Sequence, residues 1–500
     1  MDVKMIVDRN FVIGKTDPRL YGTFLEHMGR AIYGGIYQPT HPMADEDGFR
    51  QDVIALVKEL NLPIIRYPGG NFLSNYNWED GVGPVENRPR IADAAWQSIE
   101  PNLIGTDEFH KWAKKVGTEV MMAVNLGTGT IESAQHLLEY CNHDQGSKYC
   151  DMRRTNGHEK PYNDKVWCLG NEMDGEWQVG NRTKEDYANI ARKAAIVMKR
   201  MDPNVELVAC GSSNYYMKTF GEWELSVLKS AYEYIDYLSL HQYYANYEQD
   251  TMSYLAASND MNRFIKTVAS ICDTVKGIRK SEKTIHLSFD EWNVWSVTNQ
   301  SGNDEGKWTV GPRREEYIYS MEDALVFGCM LITLMNNCDR VKIACLAQLV
   351  NVAGPIMAPE NGKAWAQTTY YPFLHASRYG RGTVLQTAVN CPTYHTQKYG
   401  EVSYIESATV YNEETCEVTV FAVNRSPEKE NELMLSLREF SGCEGIEHLV
   451  LSSDSLENHN SSENPNCIIP HTSAIPIVQE GVLVASLEPF SWNVIRIKVK

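Results

Sequence analysis

A short apolar strand followed by a helical pattern recurs eight times between about residue 20 and residue 380, and no other feature restricts the fold as strongly. The predicted strands are Leu20–Leu25, Ile64–Tyr67, Glu119–Val124, Val166–Leu169, Glu206–Ala209, Tyr237–Leu240, Thr284–Phe289 and Val341–Leu346. Such alternation is typical of a (β/α)8 TIM barrel, an α/β fold. A doubly wound open sheet shares it, but no Gly-rich phosphate fingerprint follows the first strand, so we rank that fold second.

Apolar residues at helical spacing occupy the intervals between these strands. Thr106 is predicted to cap a helix over Asp107–Val116, and Thr183 with Asp186 forms a capping-box pattern ahead of another helix. The remaining predicted helices are Gly48–Leu60, Trp223–Tyr234, Met261–Ile278, Tyr317–Asn336 and Trp365–Arg378.

After Gly382 the helical periodicity ends, and short strand-like runs separated by turn signals follow. The runs are Tyr404–Tyr411, Val418–Val423, Leu433–Leu437, His448–Leu451, Val482–Leu487 and Trp492–Val499. This pattern predicts an all-β, jelly-roll-like sandwich over residues 383–500, completed by a strand within residues 1–17. Residues 18–382 are then left for the barrel.

The charge balance limits the partners that this chain can have. Its formal net charge is -18, so nucleic acid and anionic membranes are unfavourable partners and an uncharged ligand is easier to accommodate. The first residues lack the basic start and apolar core of a signal peptide. The most apolar segment, Ala324–Met335, is far shorter than the ~20 residues that span a bilayer. These features predict a cytoplasmic protein.

Two glutamates follow buried strands at positions far apart in the chain. Asn171 and Glu172 stand where the fourth strand ends, and Asp290 and Glu291 stand where the seventh ends. The carboxyl ends of barrel strands meet at one face, where catalytic groups lie. A lone strand-end glutamate is more often a helix cap or an ion-pair partner, but two, each beside a tryptophan and an amide, indicate a carboxylate pair. Asp290 is expected to be structural, because neighbours on a strand point to opposite faces.

The other strand ends carry amides, carboxylates, histidines and a phenol, with tryptophans nearby. The candidates are Glu26, His27, Asn71, Asn125, His241, Tyr243 and Gln348, with Trp96, Trp177, Trp292 and Trp295 as aromatic neighbours. They include no plausible set of metal ligands. Amides and carboxylates bind hydroxyl groups while aromatic rings cover C–H faces, so a sugar is the ligand that this mixture favours.

Three of these residues have two readings each. Glu26 either binds a sugar hydroxyl, which we favour, or pairs with Arg30. His27 and His241 are equally suited to binding the ligand directly and to holding other side chains in place.

A carboxylate pair beside a sugar site predicts cleavage of a glycosidic bond. One protonated carboxyl group donates its proton to the leaving oxygen, and one carboxylate acts at the anomeric carbon. At a separation of ~5–5.5 Å the second carboxylate is a nucleophile, and the configuration is retained.

Several long stretches resemble the α-L-arabinofuranosidases of glycoside hydrolase family 51. They are Tyr21–Arg30, Arg66–Phe72, Tyr76–Pro84, Trp167–Gly175, Ser239–Tyr244, Ser288–Trp295, Cys345–Asn351 and Ser491–Arg496. The resemblance implies a retaining exo-enzyme that removes terminal non-reducing α-L-arabinofuranosyl residues from oligosaccharides derived from arabinan or arabinoxylan.

The resemblance also implies residue roles. Glu172 would be the acid/base and Glu291 the nucleophile. The furanose would be bound by Glu26, Asn71, Asn171, Tyr243 and Gln348, with Trp295 and Trp96 lining the entrance. Family members are commonly intracellular hexamers that need no cofactor or metal, so a homo-oligomer is expected.

Two readings stay open beside this one. An endoglucanase or xylosidase would use the same barrel and the same carboxylate pair, and a non-catalytic sugar-binding protein would keep only the pocket. Glu100–Leu103 departs from the family pattern and is expected near the rim, where it would affect the choice of leaving group.

Overall fold

Eight parallel strands close into a barrel in the computed structural model, which describes residues 2–297, 308–428 and 431–500. Neighbouring barrel strands follow one another in the chain, as in a (β/α)8 barrel. The barrel strands are β2 (Gly22–Phe24), β3 (Ile64–Tyr67), β6 (Glu119–Val124), β7 (Val166–Leu169), β8 (Glu206–Ala209), β9 (Tyr237–Ala245), β10 (His286–Trp295) and β11 (Val341–Ala347). The predicted barrel is confirmed.

Ten α-helices are present in the described part of the chain. They are α1 (Gln51–Glu59), α2 (Thr106–Val116), α3 (Ile131–Asn142), α4 (Lys148–Thr155), α5 (Lys184–Met201), α6 (Glu222–Ala231), α7 (Thr251–Leu255), α8 (Ser258–Arg279), α9 (Met321–Asn336) and α10 (Tyr370–Tyr379). The sequence patterns missed α3, α4 and α7. No helix among the described residues is both long and apolar enough to cross a membrane.

Two details of the predicted helices are wrong. The N-cap of α2 is Gly105, not Thr106, and the Glu108 carboxylate accepts a hydrogen bond from the Gly105 N–H at 2.9 Å. The predicted helix over residues 365–378 starts only at Tyr370. The preceding Trp365–Ala366 (β13) instead pairs with Ile356–Met357 (β12), so backbone pairing overrides the helical spacing there. The Thr183 cap is confirmed, because its side chain accepts from the Asp186 N–H.

The other large sheet has ten strands. In spatial order they are β21 (His471–Thr472), β20 (Glu444–Leu451), β24 (Ser491–Lys498), β18 (Glu417–Asn424), β17 (Ile405–Asn412), β14 (Thr383–Asn390), β1 (Asp2–Lys15), β19 (Asn431–Arg438), β23 (Val482–Leu487) and β22 (Ile477–Gln479). Strand β1 lies in the middle, antiparallel to β14 and parallel to β19. A C-terminal β domain completed by the N-terminal strand is thus confirmed, while the exact boundaries after residues 17 and 382 stay predictions.

Both faces of β18 are buried, which fixes how the β domain sits on the barrel. Val420 and Ala422 belong to the apolar core of the β domain, whereas Phe421 and Val423 belong to the core of the barrel. Helix α9 packs against β17, β18 and β24 on that second side. Its side chains are apolar nearly all round, as expected of a helix buried between two layers.

Two further strand pairs complete the architecture. Ile91–Asp93 (β4) pairs with Ser98–Glu100 (β5) near the top of the barrel. Thr393–Thr396 (β15) and Gly400–Ser403 (β16) form a hairpin that belongs to the β-domain part of the chain. This hairpin packs against the barrel through Tyr394 and Val402.

Candidate active site

A cavity of about 620 Å³ opens at the carboxyl ends of the barrel strands. Seven of the eight residues predicted to form the site line it: Glu26, Asn71, Glu172, Tyr243, Glu291, Trp295 and Gln348. The eighth, Asn171, is buried beside them and contacts Arg66. Strands β9 and β10 continue beyond their predicted ends, so Tyr243, Glu291 and Trp295 are held by strand pairing and not by loops.

Glu172 and Glu291 meet across this cavity with His241 between them. Carboxylate and imidazole atoms of the three residues lie within 4.8 Å of one another. The His241 Nδ1 atom is 3.0 Å from Glu172 Oε1 and 3.5 Å from Glu291 Oε2. Glu172, three residues after β7, adopts a positive φ of 44°, a backbone conformation that is uncommon for a residue other than glycine.

His241 carries a positive charge in this setting. Burial favours the neutral ring, but the carboxylates of Glu291, Asp290 and Glu172 outweigh it and raise the pKa of His241 to about 10. An imidazolium donates from both ring nitrogens: Nδ1 faces both glutamates, and Nε2 lies 3.6 Å from Asp290 Oδ1. Among the described residues this is the one cluster with metal-ligand spacing, and a metal would first have to displace the His241 proton.

Glu172 has a second donor on its other oxygen. The indole N–H of Trp177 donates to Glu172 Oε2 at 2.7 Å, and the Trp177 ring is half exposed at the cavity rim. Glu172 itself is nearly buried. This carboxyl group therefore faces the cavity and is held from the rim by Trp177.

Glu291 is held by a cation and a phenol. Arg66 donates from Nη1 to Glu291 Oε1 at 2.7 Å, and the Tyr243 hydroxyl donates to Oε2 at 2.8 Å. Arg66 also donates from Nη2 to Asn171 Oδ1 at 2.7 Å and lies 3.4 Å from Asp290. Arg66 thus bridges Glu291, Asn171 and Asp290, and of these Asp290 is not among the residues lining the cavity.

Arg66 was predicted only as part of a motif, without a role of its own. The available signal was a charged side chain inside an otherwise apolar strand, β3, all of whose residues are buried. A buried arginine needs anionic partners, so its position alone implied carboxylates nearby.

Replacing Arg66 by methionine should lower the free energy of unfolding by about 3–5 kcal/mol, because buried carboxylates would lose their counter-charge. Urea unfolding measures this loss. The exposed Arg200→Met on α5 is the matched control and should change stability by less than about 0.5 kcal/mol. Similar values for the two variants would contradict the proposed electrostatic role of Arg66.

Glu26 lies on the opposite side of the cavity floor. The Phe72 backbone N–H and the Trp96 indole N–H both donate to Glu26 Oε1 at 2.9 Å, and the Gln348 amide nitrogen is 3.5 Å from Oε2. The alternative pairing with Arg30 is wrong, because Arg30 forms its ion pair with Glu316.

Burial raises the pKa of Glu26 to about 8, the nearby Glu291 charge adds to this, and the two hydrogen bonds only partly oppose it. Because the folded-state pKa exceeds the ordinary 4.5, the folded protein holds the Glu26 proton more tightly than the unfolded chain does. The resulting stability is fully present below pH 4.5 and is lost as the pH rises to 8. Glu26→Gln should remove this fall, about 5 kcal/mol, from the pH profile of unfolding free energy. Parallel profiles for wild type and variant would show that Glu26 ionises normally.

Gly70 allows both acidic groups to approach the same backbone segment. A Cβ atom on Gly70 would lie 3.2 Å from Glu26 Oε2 and 3.2 Å from Glu291 Oε1. Any side chain at this position would crowd the cavity floor, which explains the glycine that precedes Asn71.

Glu100 is not at the rim, contrary to the sequence-based expectation. It is buried, lies 2.7 Å from His27 Nδ1 and accepts a hydrogen bond from Tyr33. His27 in turn contacts the Tyr67 hydroxyl at 2.8 Å and does not line the cavity. The Glu100–His27 pair lies in the packed region behind Glu26. The departure from the family pattern at Glu100 therefore affects packing and not the cavity rim.

Three exposed residues at the rim were not singled out by sequence reasoning. They are Tyr216, Tyr247 and Lys398. No periodicity or motif marks them, since they lie in loops and in the β15–β16 hairpin, and only the folded chain brings them to the cavity.

Two family models match this chain. Residues 56–263 match the α-L-arabinofuranosidase 1 domain, and residues 290–491 match the α-L-arabinofuranosidase C-terminal domain. Together they cover most of the barrel and most of the β domain.

Relatives of similar length match over nearly the whole chain. An intracellular exo-α-(1→5)-L-arabinofuranosidase 1 from Bacillus subtilis (strain 168) is 53% identical over 99% of both chains. A protein of the same description, without the numeral, from Acetivibrio thermocellus is 54% identical over 99% of both. The solved structure of a family 51 α-L-arabinofuranosidase from Bifidobacterium longum superposes with a TM-score of 0.95, at 43% identity and 99% coverage of each chain.

Proposed function

The chain belongs to the α-L-arabinofuranosidases of glycoside hydrolase family 51 and is an exo-acting enzyme of that class, and from this membership we propose that it works by a retaining double displacement. Glu291 is the proposed nucleophile and Glu172 the proposed acid/base. The observation that carries the proposal is the close approach of these two carboxylates, within 4.8 Å at their nearest oxygens. A gap of this size favours direct attack over the wider spacing that admits a water molecule.

In the first step, Glu172 gives its proton to the glycosidic oxygen while a Glu291 oxygen attacks the anomeric carbon. The bond to the leaving group breaks, and an arabinosyl ester of Glu291 forms. In the second step, Glu172 takes a proton from water as the water oxygen attacks the anomeric carbon, and Glu291 leaves as a carboxylate. Arg66 and Tyr243 stabilise that carboxylate before and after each cycle.

The proposed furanose site lies between Glu26 and the carboxylate pair. The Asn171 side-chain nitrogen is buried and has no hydrogen-bond partner within the described chain, so it is free to donate to the hydroxyl beside the anomeric carbon. Glu26, Asn71 and Gln348 supply further polar groups. Tyr243 stacks on Trp295, with ring centroids 4.7 Å apart, and this pair forms the apolar wall at the entrance.

The proposed substrates are (1→5)-linked arabinofuranosyl oligosaccharides, because three relatives above 50% identity are named for that linkage. Their names also describe intracellular enzymes, which confirms the predicted cytoplasmic location. The homo-oligomer, a hexamer by resemblance, stays a prediction that analytical ultracentrifugation tests.

The test of the proposed function is hydrolysis of 4-nitrophenyl α-L-arabinofuranoside and of arabino-oligosaccharides, with the anomeric configuration followed by NMR. Release of α-configured arabinose as the first product is expected. Inversion would contradict the double displacement. Turnover of xylosides or glucans without turnover of arabinofuranosides would instead support the endoglucanase or xylosidase reading, and tight binding without turnover would support a sugar-binding protein.

A further inference from the structure

The cavity wall crosses from the barrel to the β domain. Lys398 stands in the turn of the β15–β16 hairpin, yet it lines the cavity that contains Glu172 and Glu291. It also lines a side pocket of about 90 Å³, which shares Tyr244, Ala245 and Tyr247 with the main cavity. The two spaces are therefore adjacent, and Lys398 borders both.

The hairpin is held firmly against the barrel. The Tyr394 hydroxyl donates to the Met252 carbonyl at 3.1 Å, and Tyr394 and Val402 form a small apolar cluster with Ala256. The backbone N–H of Tyr399 donates to Thr396 Oγ1 at 3.0 Å and fixes the turn. A turn anchored in this way holds the Lys398 backbone in one place, so the residue is suited to recognition.

Lys398 brings a positive charge to an acidic cavity. Four glutamates line the space, and Lys398 is the one lysine or arginine among the described lining residues. It forms no ion pair with another described residue, and its Nζ lies 5.3 Å from the centre of the Tyr399 ring. Its three N–H donors are therefore available to hydroxyl oxygens of a ligand.

Two tyrosines beside Lys398 leave their rings open to solvent. Tyr216 is 59% exposed and Tyr247 is 68% exposed, and both line the main cavity. Exposed aromatic groups at a cavity mouth are typical of ligand grooves, and flat rings next to polar groups suit sugar rings. The furanose to be cleaved lies deeper, at the carboxylate pair, so these tyrosines face the part of the substrate beyond it.

We propose that Lys398, Tyr247 and Tyr216 bind the sugars on the leaving-group side of the scissile bond, so that the β domain takes part in selecting the substrate. This inference rests on the proposed function. The tyrosine rings stack on C–H faces, and Lys398 donates to hydroxyl groups of the second or third sugar. An aryl leaving group is too short to use these contacts, whereas an oligosaccharide gains from them.

The test compares two substrates, 4-nitrophenyl α-L-arabinofuranoside and (1→5)-linked α-L-arabinotriose, in the full-length enzyme. Lys398→Ala and Tyr247→Ala should each lower kcat/KM on arabinotriose by about tenfold or more, mainly through KM. Activity on the aryl glycoside should change less than twofold, which also shows that the variants are folded. The matched controls are Lys4→Ala and Phe11→Ala, exposed residues of β1 that do not line the cavity, and neither should affect either substrate.

The inference would be overturned by unchanged kcat/KM on arabinotriose in both variants, or by equal losses on the two substrates. Failure of the proposed function looks different, since the wild type itself would then cleave neither substrate. That outcome would overturn both proposals together.

Discussion

Glu291→Ala should lose at least about 10⁴-fold in kcat on every arabinofuranoside, because no other group can form the covalent intermediate. Glu291 is already in contact with Arg66 and Tyr243, so its oxygens are positioned and its charge is stabilised before substrate arrives. The loss should be similar for activated and unactivated leaving groups. Initial rates on 4-nitrophenyl α-L-arabinofuranoside and on arabinotriose measure it.

Two further experiments distinguish the loss of a nucleophile from other causes of inactivity. Glu291→Gln keeps the size and the hydrogen bond from Tyr243 but is not nucleophilic, so it should be as inactive as the alanine variant. Sodium azide should restore turnover to Glu291→Ala only, by attacking the anomeric carbon from the vacated side and giving an arabinosyl azide of inverted configuration. Azide rescue with retained configuration, or an active glutamine variant, would contradict Glu291 as the nucleophile.

Glu172→Ala should discriminate between leaving groups. Removing the general acid should lower kcat/KM by ~10²–10⁴-fold on arabinotriose, whose leaving alkoxide needs a proton. Nitrophenolate leaves without one, so the same variant should lose less than about tenfold on the aryl glycoside. Steady-state kinetics on the two substrates gives both ratios.

The matched control for Glu172 is Glu176→Ala, four residues along the same loop and fully on the surface. It should behave as wild type on both substrates. Equal losses on the two substrates in Glu172→Ala would assign Glu172 to binding or to stability and would leave the proton transfer to another group.

The sequence was sufficient to predict the barrel because its strands are short, apolar and bounded by polar residues. Strands β3, β6, β7 and β8 have the predicted bounds. The ends of β9 and β10 were placed too early, because polar residues such as His241 and Glu291 interrupt the apolar run although strand pairing continues. These interruptions are the proposed functional positions, where the chain departs from the apolar pattern of a buried strand.

The sequence was sufficient to predict those residues of the candidate site that stand at the end of a barrel strand. The pairings within the site were not, since Arg66 meets Asn171 and Glu291 only after the barrel closes. The same holds for Arg30, which pairs with Glu316 nearly three hundred residues away and not with Glu26. The position of Lys398 at the cavity could not be predicted, because no local sequence pattern reveals that a β-domain hairpin faces the cavity.

The position of β1 has a consequence for the order in which the chain can fold during synthesis. Strand β1 is made first, but Lys4 pairs with Asn390 and Asp2 with Glu432, both of which leave the ribosome after the whole barrel. Until then β1 has no partner strand, and the ends of this long loop come together only when the folded barrel places Thr16 beside Gly382. The barrel can therefore form while β1 is still unpaired, and the β domain can assemble only once the barrel has been translated.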